Sequence, residues 1–247
     1  MCAIGGIYNS KLIDINWNDI WNLFDQMEER GDHSHGLAMV DANENIIVLK
    51  AKGGSQQARA EWQWLESAYP NPLIIMLHTR YATQGSIAHM GNNHPVSHGD
   101  ILLTHNGCLR NDERVFKKLG VEREHEVDTE AIAAGIHHRG IDWMAENTIG
   151  SMSIAWIDET EPTVLNLWTN GGNPLAIGFK PDTKILVYAT WERYIDHMVG
   201  ENTFLADTYT HYRYSGKKLY MKDAGSWLTK RRPRPMAPYT WKRGQIY

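Results

Sequence analysis

The apolar stretches of this chain are strand-sized. Its greasiest runs, such as Leu73 to Leu77, fall far short of the roughly 18 unbroken apolar residues that a membrane-spanning helix needs. Ala3 to Tyr8 is an apolar run with two glycines and suits a short buried strand. Leu73 to His78 and Ile101 to His105 are further strands, each ending in a polar cluster, and 151–157, 163–169, 175–179, 185–190 and the region 203–221 continue the β-rich pattern. Leu37 to Val40 and Ile46 to Leu49, separated by Asp41 to Asn45, read as a hairpin. Helical spacing of Trp17, Ile20, Trp21, Phe24 and Met27 behind Asn16 predicts an amphipathic helix over 17–29. Further helices are expected at 56–66, at 112–119 with Gly120 as the stop, at 129–137 and near 191–199. Helices in groups and strands joined by tight turns predict an α+β chain of largely antiparallel sheets covered by helices.

Composition narrows the class. The 247 residues are 42% hydrophobic and 22% charged with a formal net charge of -4, as in an ordinary globular protein of one large domain. An acidic balance argues against nucleic acid as partner, because phosphate-binding surfaces carry a basic excess. The first ten residues lack a basic cluster followed by an apolar run, so no secretory signal is expected. Two cysteines, Cys2 and Cys108, are too few for a disulfide framework, and a reducing, cytoplasmic setting is expected.

The position of Cys2 carries chemistry. Its small side chain permits removal of Met1, which would put a thiol and a free α-amine on one carbon. An α-amine titrating near pH 8 can act as base toward a thiol near 8.5. On its own, Cys2 reads more readily as a small packing residue. Asn106 and Gly107 at a strand end offer an amide and an unobstructed backbone N–H for an oxyanion, although AsnGly is also a common turn. Arg80 and Asp128 offer the opposite charges that would hold an amino acid's carboxylate and ammonium, although either could sit in a solvated ion pair.

The order of these residues is what distinguishes them. MetCysAlaIleGlyGlyIleTyr at the start, ArgGlyAspHisSerHisGly at 30–36, HisThrArgTyrAlaThrGlnGly at 78–85, AsnHisPro at 93–95, HisAsnGly at 105–107 and AspThrGlu at 128–130 follow one another, with GlyAsnProLeuAlaIleGly at 172–178 and ValTyrAlaThr at 187–190 beyond. From Met1 to about residue 190 the chain resembles the glutaminase domain of class II glutamine amidotransferases, of the N-terminal nucleophile hydrolase superfamily. The wording is closer to the glucosamine-6-phosphate synthase and phosphoribosylpyrophosphate amidotransferase branches than to asparagine synthetase. The resemblance implies a four-layered α/β/β/α sandwich of two stacked antiparallel sheets. It implies Cys2 as nucleophile with its own amine as base, Asn106 and Gly107 at the oxyanion, Arg80 on the glutamine α-carboxylate, Asp128 on the α-ammonium, Thr83 and Gln84 at the pocket, and Arg30 supporting the nucleophile loop. The implied reaction is hydrolysis of the glutamine side-chain amide through a γ-glutamyl thioester; no cofactor is expected, and because 247 residues accommodate the ammonia-producing domain alone, the ammonia is expected to pass to a separate synthetase or acceptor subunit. Ala3, Gln84, and the pair Asp32 and His33 depart from the family's wording, which leaves the role of the 30–36 loop less secure.

Two other readings remain open: a related amidohydrolase acting on another γ-glutamyl or acyl-amide substrate, and a non-catalytic subunit that senses glutamine. A homo-oligomer stays open too. The histidines show no zinc spacing, so no metal is expected. Cys108, without an adjacent base, is expected to fill a small apolar space. Trp17 and Trp21 are expected in the core, and one of Trp62 and Trp64 is expected at the surface. The domain is expected over 1–229, followed by a basic, proline-rich tail at 230–247.

Overall fold

Strand β1 (Ala3–Tyr8) is buried along its whole length, so both of its faces and both of its edges must be covered. The computed structural model, which describes residues 1–216 and 218–224, meets that demand with two stacked sheets and helices outside each. In chain order β1 is followed by α1 (Trp17–Met27), a short 3-10 turn (Glu28–Arg30), β2 (Ser34–Val40), β3 (Ile46–Lys52), α2 (Ser55–Trp62), α3 (Leu65–Ala68) and β4 (Ile74–Arg80). Next come β5 (Val96–His98), β6 (Ile101–Leu109), α4 (Asp112–Leu119), α5 (Thr129–Asn147), β7 (Gly150–Asp158), β8 (Val164–Thr169), β9 (Ala176–Phe179) and β10 (Leu186–Ala189). The chain continues through α6 (Asp196–Val199), β11 (Thr203–Leu205), β12 (Thr210–Ser215) and β13 (Lys218–Asp223).

One sheet has the order β11-β9-β10-β1-β4-β2-β3 and the other β13-β12-β8-β7-β6-β5, and each pairing is antiparallel. The side-chain period of two sorts residues into layers. Ile7, Leu37, Ile75 and Val187 face outward onto Trp17, Trp21, Phe24, Trp62 and Leu65 of the first helical layer. Ile4, Tyr8, Val40 and Met76 face inward onto Leu102, Ile157, Leu167 and Tyr212 of the second sheet. Leu103, Ile154, Trp156 and Trp168 face the second helical layer, which supplies Val115, Phe116, Ile132 and Met144. The result is the expected four-layered α/β/β/α sandwich of two antiparallel sheets.

Local signals explain most boundaries. The Asn16 side chain accepts the Asn18 N–H at 3.2 Å and starts α1 where expected. The expected helix over 56–66 is divided into α2 and α3, and the one expected over 129–137 runs on to Asn147 across a break at Gly140 (φ 80°, ψ 171°). Trp64, between α2 and α3, is 47% exposed while Trp62, at the end of α2, is buried, so one of the two is at the surface as expected. Strand β5, three residues long, was not expected; it is too short to show a period. The tail expected at 230–247 lies outside the described residues. Among the described residues no helix is long and apolar enough to cross a membrane.

A polar layer crosses the interior at one end of the sandwich. His78 of β4 and His94 stack with ring centroids 3.8 Å apart, and His78 Nε2 lies 3.1 Å from the His105 carbonyl oxygen. His94 Nε2 and His105 Nδ1 lie 2.9 and 3.1 Å from the Thr129 hydroxyl. Burial pushes His78 down to about 3 and His94 well below the usual histidine range. It lowers His105 as well, against the pull of Asp128. All three are neutral imidazoles at pH 7. Their folded values lie below the unfolded value of about 6.5, so the stability they contribute is present above that pH and is lost as pH falls. Urea titrations are expected to show the unfolding free energy declining from about pH 6.5 downward, by up to about 1.4 kcal/mol per pH unit for each histidine kept unprotonated. A flat profile between pH 7 and 5 would contradict a neutral buried layer.

Candidate active site

Antiparallel pairing of β1 with β4 opposes Ala3 and Thr79, so the start of the chain lies beside the end of β4. Cys2 and Arg80 therefore meet, and the segment after Arg80 folds over them. From the other sheet, β6 brings Gly107, and the start of α5 brings Asp128. Cys2, Arg80, Thr83, Gln84, Gly107 and Asp128 line one cleft, along with Tyr81, His94, His105, Val127 and Thr129. The cavity within the cleft is about 20 Å³, room for about one water molecule.

Arg80 is a buried cation held largely by neutral acceptors. Its Nη1 donates to Asn93 Oδ1 at 2.6 Å, and its Nη2 donates to the carbonyl oxygens of Gln84 and Gly85 at 2.6 and 3.0 Å. Asn93 is fully buried; its Oδ1 also accepts the Ser34 hydroxyl at 2.9 Å, and its Nδ2 donates to the Ile87 carbonyl at 3.0 Å. The guanidinium is thus aimed before any ligand arrives. Burial lowers the Arg80 pKa, while the nearby Cys2 and Asp128 side chains favour its charge. On the other sheet, Asp128 accepts the Leu109 N–H at 2.6 Å from its position ahead of α5. A fixed guanidinium and a fixed carboxylate on one small cleft are complementary to the zwitterionic head of an amino acid.

The Cys2 sulfur lies 3.8 Å from the Tyr81 carbonyl oxygen. Burial pushes its thiol up; the Tyr81 contact, the chain terminus and Arg80 oppose that rise, and Asp128 adds to it. With Met1 in place, the Cys2 nitrogen is part of a peptide bond. Gly107 is required by a close approach: a Cβ there would sit 1.8 Å from the Ser151 carbonyl oxygen.

Two of the expected site residues lie outside the lining. Asn106 is buried, with its Nδ2 3.4 Å from the Thr190 hydroxyl and its carbonyl accepting from Asn173 Nδ2 at 3.1 Å. Thr190 in turn accepts the Ile4 N–H at 3.0 Å, so the Asn106 amide is tied to the strand that carries Cys2. Arg30 donates from Nε to the Cys2 carbonyl oxygen at 2.7 Å, and its guanidinium lies over the Trp191 ring at 4.5 Å. It lines a neighbouring cleft with Met1, Glu28, Asp32, Tyr81 and Trp191. Cys108 corrects its expectation: it is exposed and fills no apolar space, its sulfur lying 3.4 Å from the Leu109 carbonyl oxygen. Asn93, Thr129 and Thr190 were given no role from sequence, although they belong to the AsnHisPro, AspThrGlu and ValTyrAlaThr blocks. Among the described residues no three His, Cys, Asp or Glu side chains converge as a metal site.

Comparison with known proteins bears on this arrangement. Residues 78–196 match the family model described as the glutamine amidotransferase domain. The chain is 27% identical over 214 residues to glutamine–fructose-6-phosphate aminotransferase [isomerizing] of Legionella pneumophila (strain Lens), covering 81% of this chain and 32% of that protein. It therefore spans about a third of the length of that relative. A protein of the same name from Idiomarina loihiensis is 34% identical over 120 residues, covering 46% of this chain and 18% of that protein. Among solved structures, the glutamine phosphoribosylpyrophosphate amidotransferase from B. subtilis is similar with a TM-score of 0.71 at 20% identity, covering 90% of this chain and 49% of that one. A glutamine aminotransferase class-II domain protein from Silicibacter pomeroyi is similar with a TM-score of 0.57 at 11% identity, over 90% of this chain and 99% of that one. The sequence match takes in the end of β4, β6 and α5, which bring Arg80, Gly107 and Asp128 to the cleft, and the shared fold extends over nine-tenths of the chain; over residues 78–196 the chain is similar to the glutamine amidotransferase domain.

Proposed function

We propose that this domain hydrolyses the side-chain amide of glutamine to glutamate and ammonia, with Cys2 as nucleophile once Met1 is removed. The observation that carries this reading is the convergence of Cys2, Arg80 and Asp128 on one small cleft. Arg80 binds the α-carboxylate, Asp128 the α-ammonium, and Thr83 and Gln84 close the wall. The Cys2 sulfur attacks the side-chain carbonyl carbon while the Cys2 α-amine takes the thiol proton. Gly107 N–H and the Asn106 amide stabilise the oxyanion; Asn106 reaches it by leaving its long 3.4 Å contact with Thr190. The amine's proton goes to the departing nitrogen, ammonia leaves, and a γ-glutamyl thioester remains. Water then attacks the thioester, which restores the thiol and releases glutamate. Arg30 supports the nucleophile by holding the Cys2 carbonyl. The ammonia passes to an acceptor, which rests on the sequence resemblance, and a reducing, cytoplasmic setting, expected from the two cysteines, suits a thiol of this kind.

A glutamine-mimicking diazo-ketone is expected to add one covalent label, on Cys2, and Cys2→Ala is expected to abolish both the label and glutamine turnover. Intact-mass analysis showing no adduct, or active protein that retains Met1, would sink the assignment. A form in which Met1 cannot be removed is expected to stay unlabelled near pH 7, since burial raises the thiol pKa and no free amine adjoins the sulfur. Arg80→Lys keeps the charge but loses the fork, and is expected to raise the KM for glutamine about tenfold or more with a smaller effect on kcat. An unchanged KM in steady-state assays would remove Arg80 from the carboxylate site.

A further inference from the structure

The β2–β4 ladder ends at the Ser34 and Arg80 pair, yet the chain beyond Arg80 stays attached to the segment before β2. His33 makes that attachment. Its backbone N–H donates to the Arg80 carbonyl at 3.0 Å, and its own carbonyl accepts the Gly53 N–H at 3.1 Å, which anchors it to the sheet. Its ring Nδ1 accepts the Ala82 N–H at 3.0 Å, and the ring stacks on Tyr81 with centroids 4.4 Å apart at an interplanar angle of 28°. A backbone N–H can only donate, so Nδ1 presents a lone pair and the ring hydrogen is on Nε2. The far end of the same segment is tied down separately: the Gln84 carbonyl takes Arg80 Nη2, and Gln84 Nε2 donates to Asp112 Oδ2 at 3.2 Å, which also pairs with Arg123 at 2.7 Å. Between these two ties lie Tyr81, Thr83 and Gln84, which form one wall of the cleft.

We infer that His33 is a positioning residue whose Nδ1 lone pair holds the Tyr81–Gln84 wall in its ligand-ready arrangement, so that binding does not have to order that segment. The inference rests on the glutaminase reading for its effect on substrate, and on geometry alone for its effect on the segment. Ordering a loop at the moment of binding costs affinity, so loss of the clamp weakens KM more than kcat. Asparagine carries an acceptor oxygen at the same branch position as Nδ1, whereas the glutamine side-chain oxygen lies one bond further out, near the position of Nε2. His33→Asn and His33→Gln therefore separate the lone pair from polarity and bulk, and both keep the backbone bonds to Arg80 and Gly53.

The test is amide hydrogen exchange of the peptide spanning residues 81–84 in ligand-free protein, together with steady-state glutamine kinetics on the two variants. For His33→Gln, exchange and KM are each expected to rise about five- to tenfold, the worth of one net hydrogen bond, with kcat within about twofold of wild type. His33→Asn is expected to restore both to within about twofold. Unchanged exchange in His33→Gln would overturn the inference, as would loss of kcat in both variants without rescue by asparagine. If wild-type protein fails to turn over glutamine, the glutaminase reading fails, and the exchange comparison still decides whether His33 holds the wall.

Discussion

An apolar strand with antiparallel neighbours on both sides has only one home, the middle of a sheet, and the architecture grows from that requirement. β1 is flanked by β4 and β10 and sandwiched between the first helical layer and the second sheet, which leaves its backbone fully paired and its side chains dry. A strand so confined has a fixed register and direction. Its first residue therefore emerges at a fixed point, the edge of the cleft, where the end of β4 and the second sheet converge. The Cys2 end of the chain is positioned by a core constraint and does not depend on a loop of its own.

Electrostatics around that point are sparse and directed. Arg80 is one of the few buried cations, and much of its hydrogen-bonding capacity is met by an amide oxygen and two carbonyls, which satisfy the donors without cancelling the charge. Asp128 shares the cleft, where the neutral imidazoles of His94 and His105 also line the wall and His78 stacks against His94. A cation held by dipoles keeps an unspent field for a ligand, whereas one locked to a buried carboxylate would not. Low local polarizability strengthens that field.

Much of this was legible in the sequence, because its signals are local. Apolar runs mark β1 and β4, Asn16 marks the start of α1, and Gly120 marks the end of α4. The ordered blocks around Arg80, Gly107 and Asp128 marked residues that do share a cleft. What was hidden depends on how the sheets stack. The Asn106 amide turns to Thr190, a residue on the far sheet and 84 positions away, and no local pattern encodes that direction. Cys108 is exposed near the end of β6, whereas composition alone suggests that a cysteine packs. His33 looked like a departure of unknown weight, since only the folded chain brings Ala82 to its ring.

The layer of histidines also has a direction. The Ser151 carbonyl, 3.4 Å from His105 Nε2, calls for a hydrogen on that nitrogen, which leaves His105 Nδ1 as a lone pair for the Thr129 hydroxyl to fill. The hydroxyl has one hydrogen and has used it, so it must accept from His94 Nε2. His94 Nδ1 is then a bare acceptor, as is His78 Nδ1, because His78 gives its hydrogen to the His105 carbonyl. These two ring nitrogens are among the buried atoms left without a partner. Both are empty lone pairs and neither is a stranded hydrogen. One serine carbonyl at the edge of a strand thus decides the tautomer of a ring two residues removed in the relay, and the interior carries a one-way chain of hydrogen bonds running from His94 through Thr129 to His105.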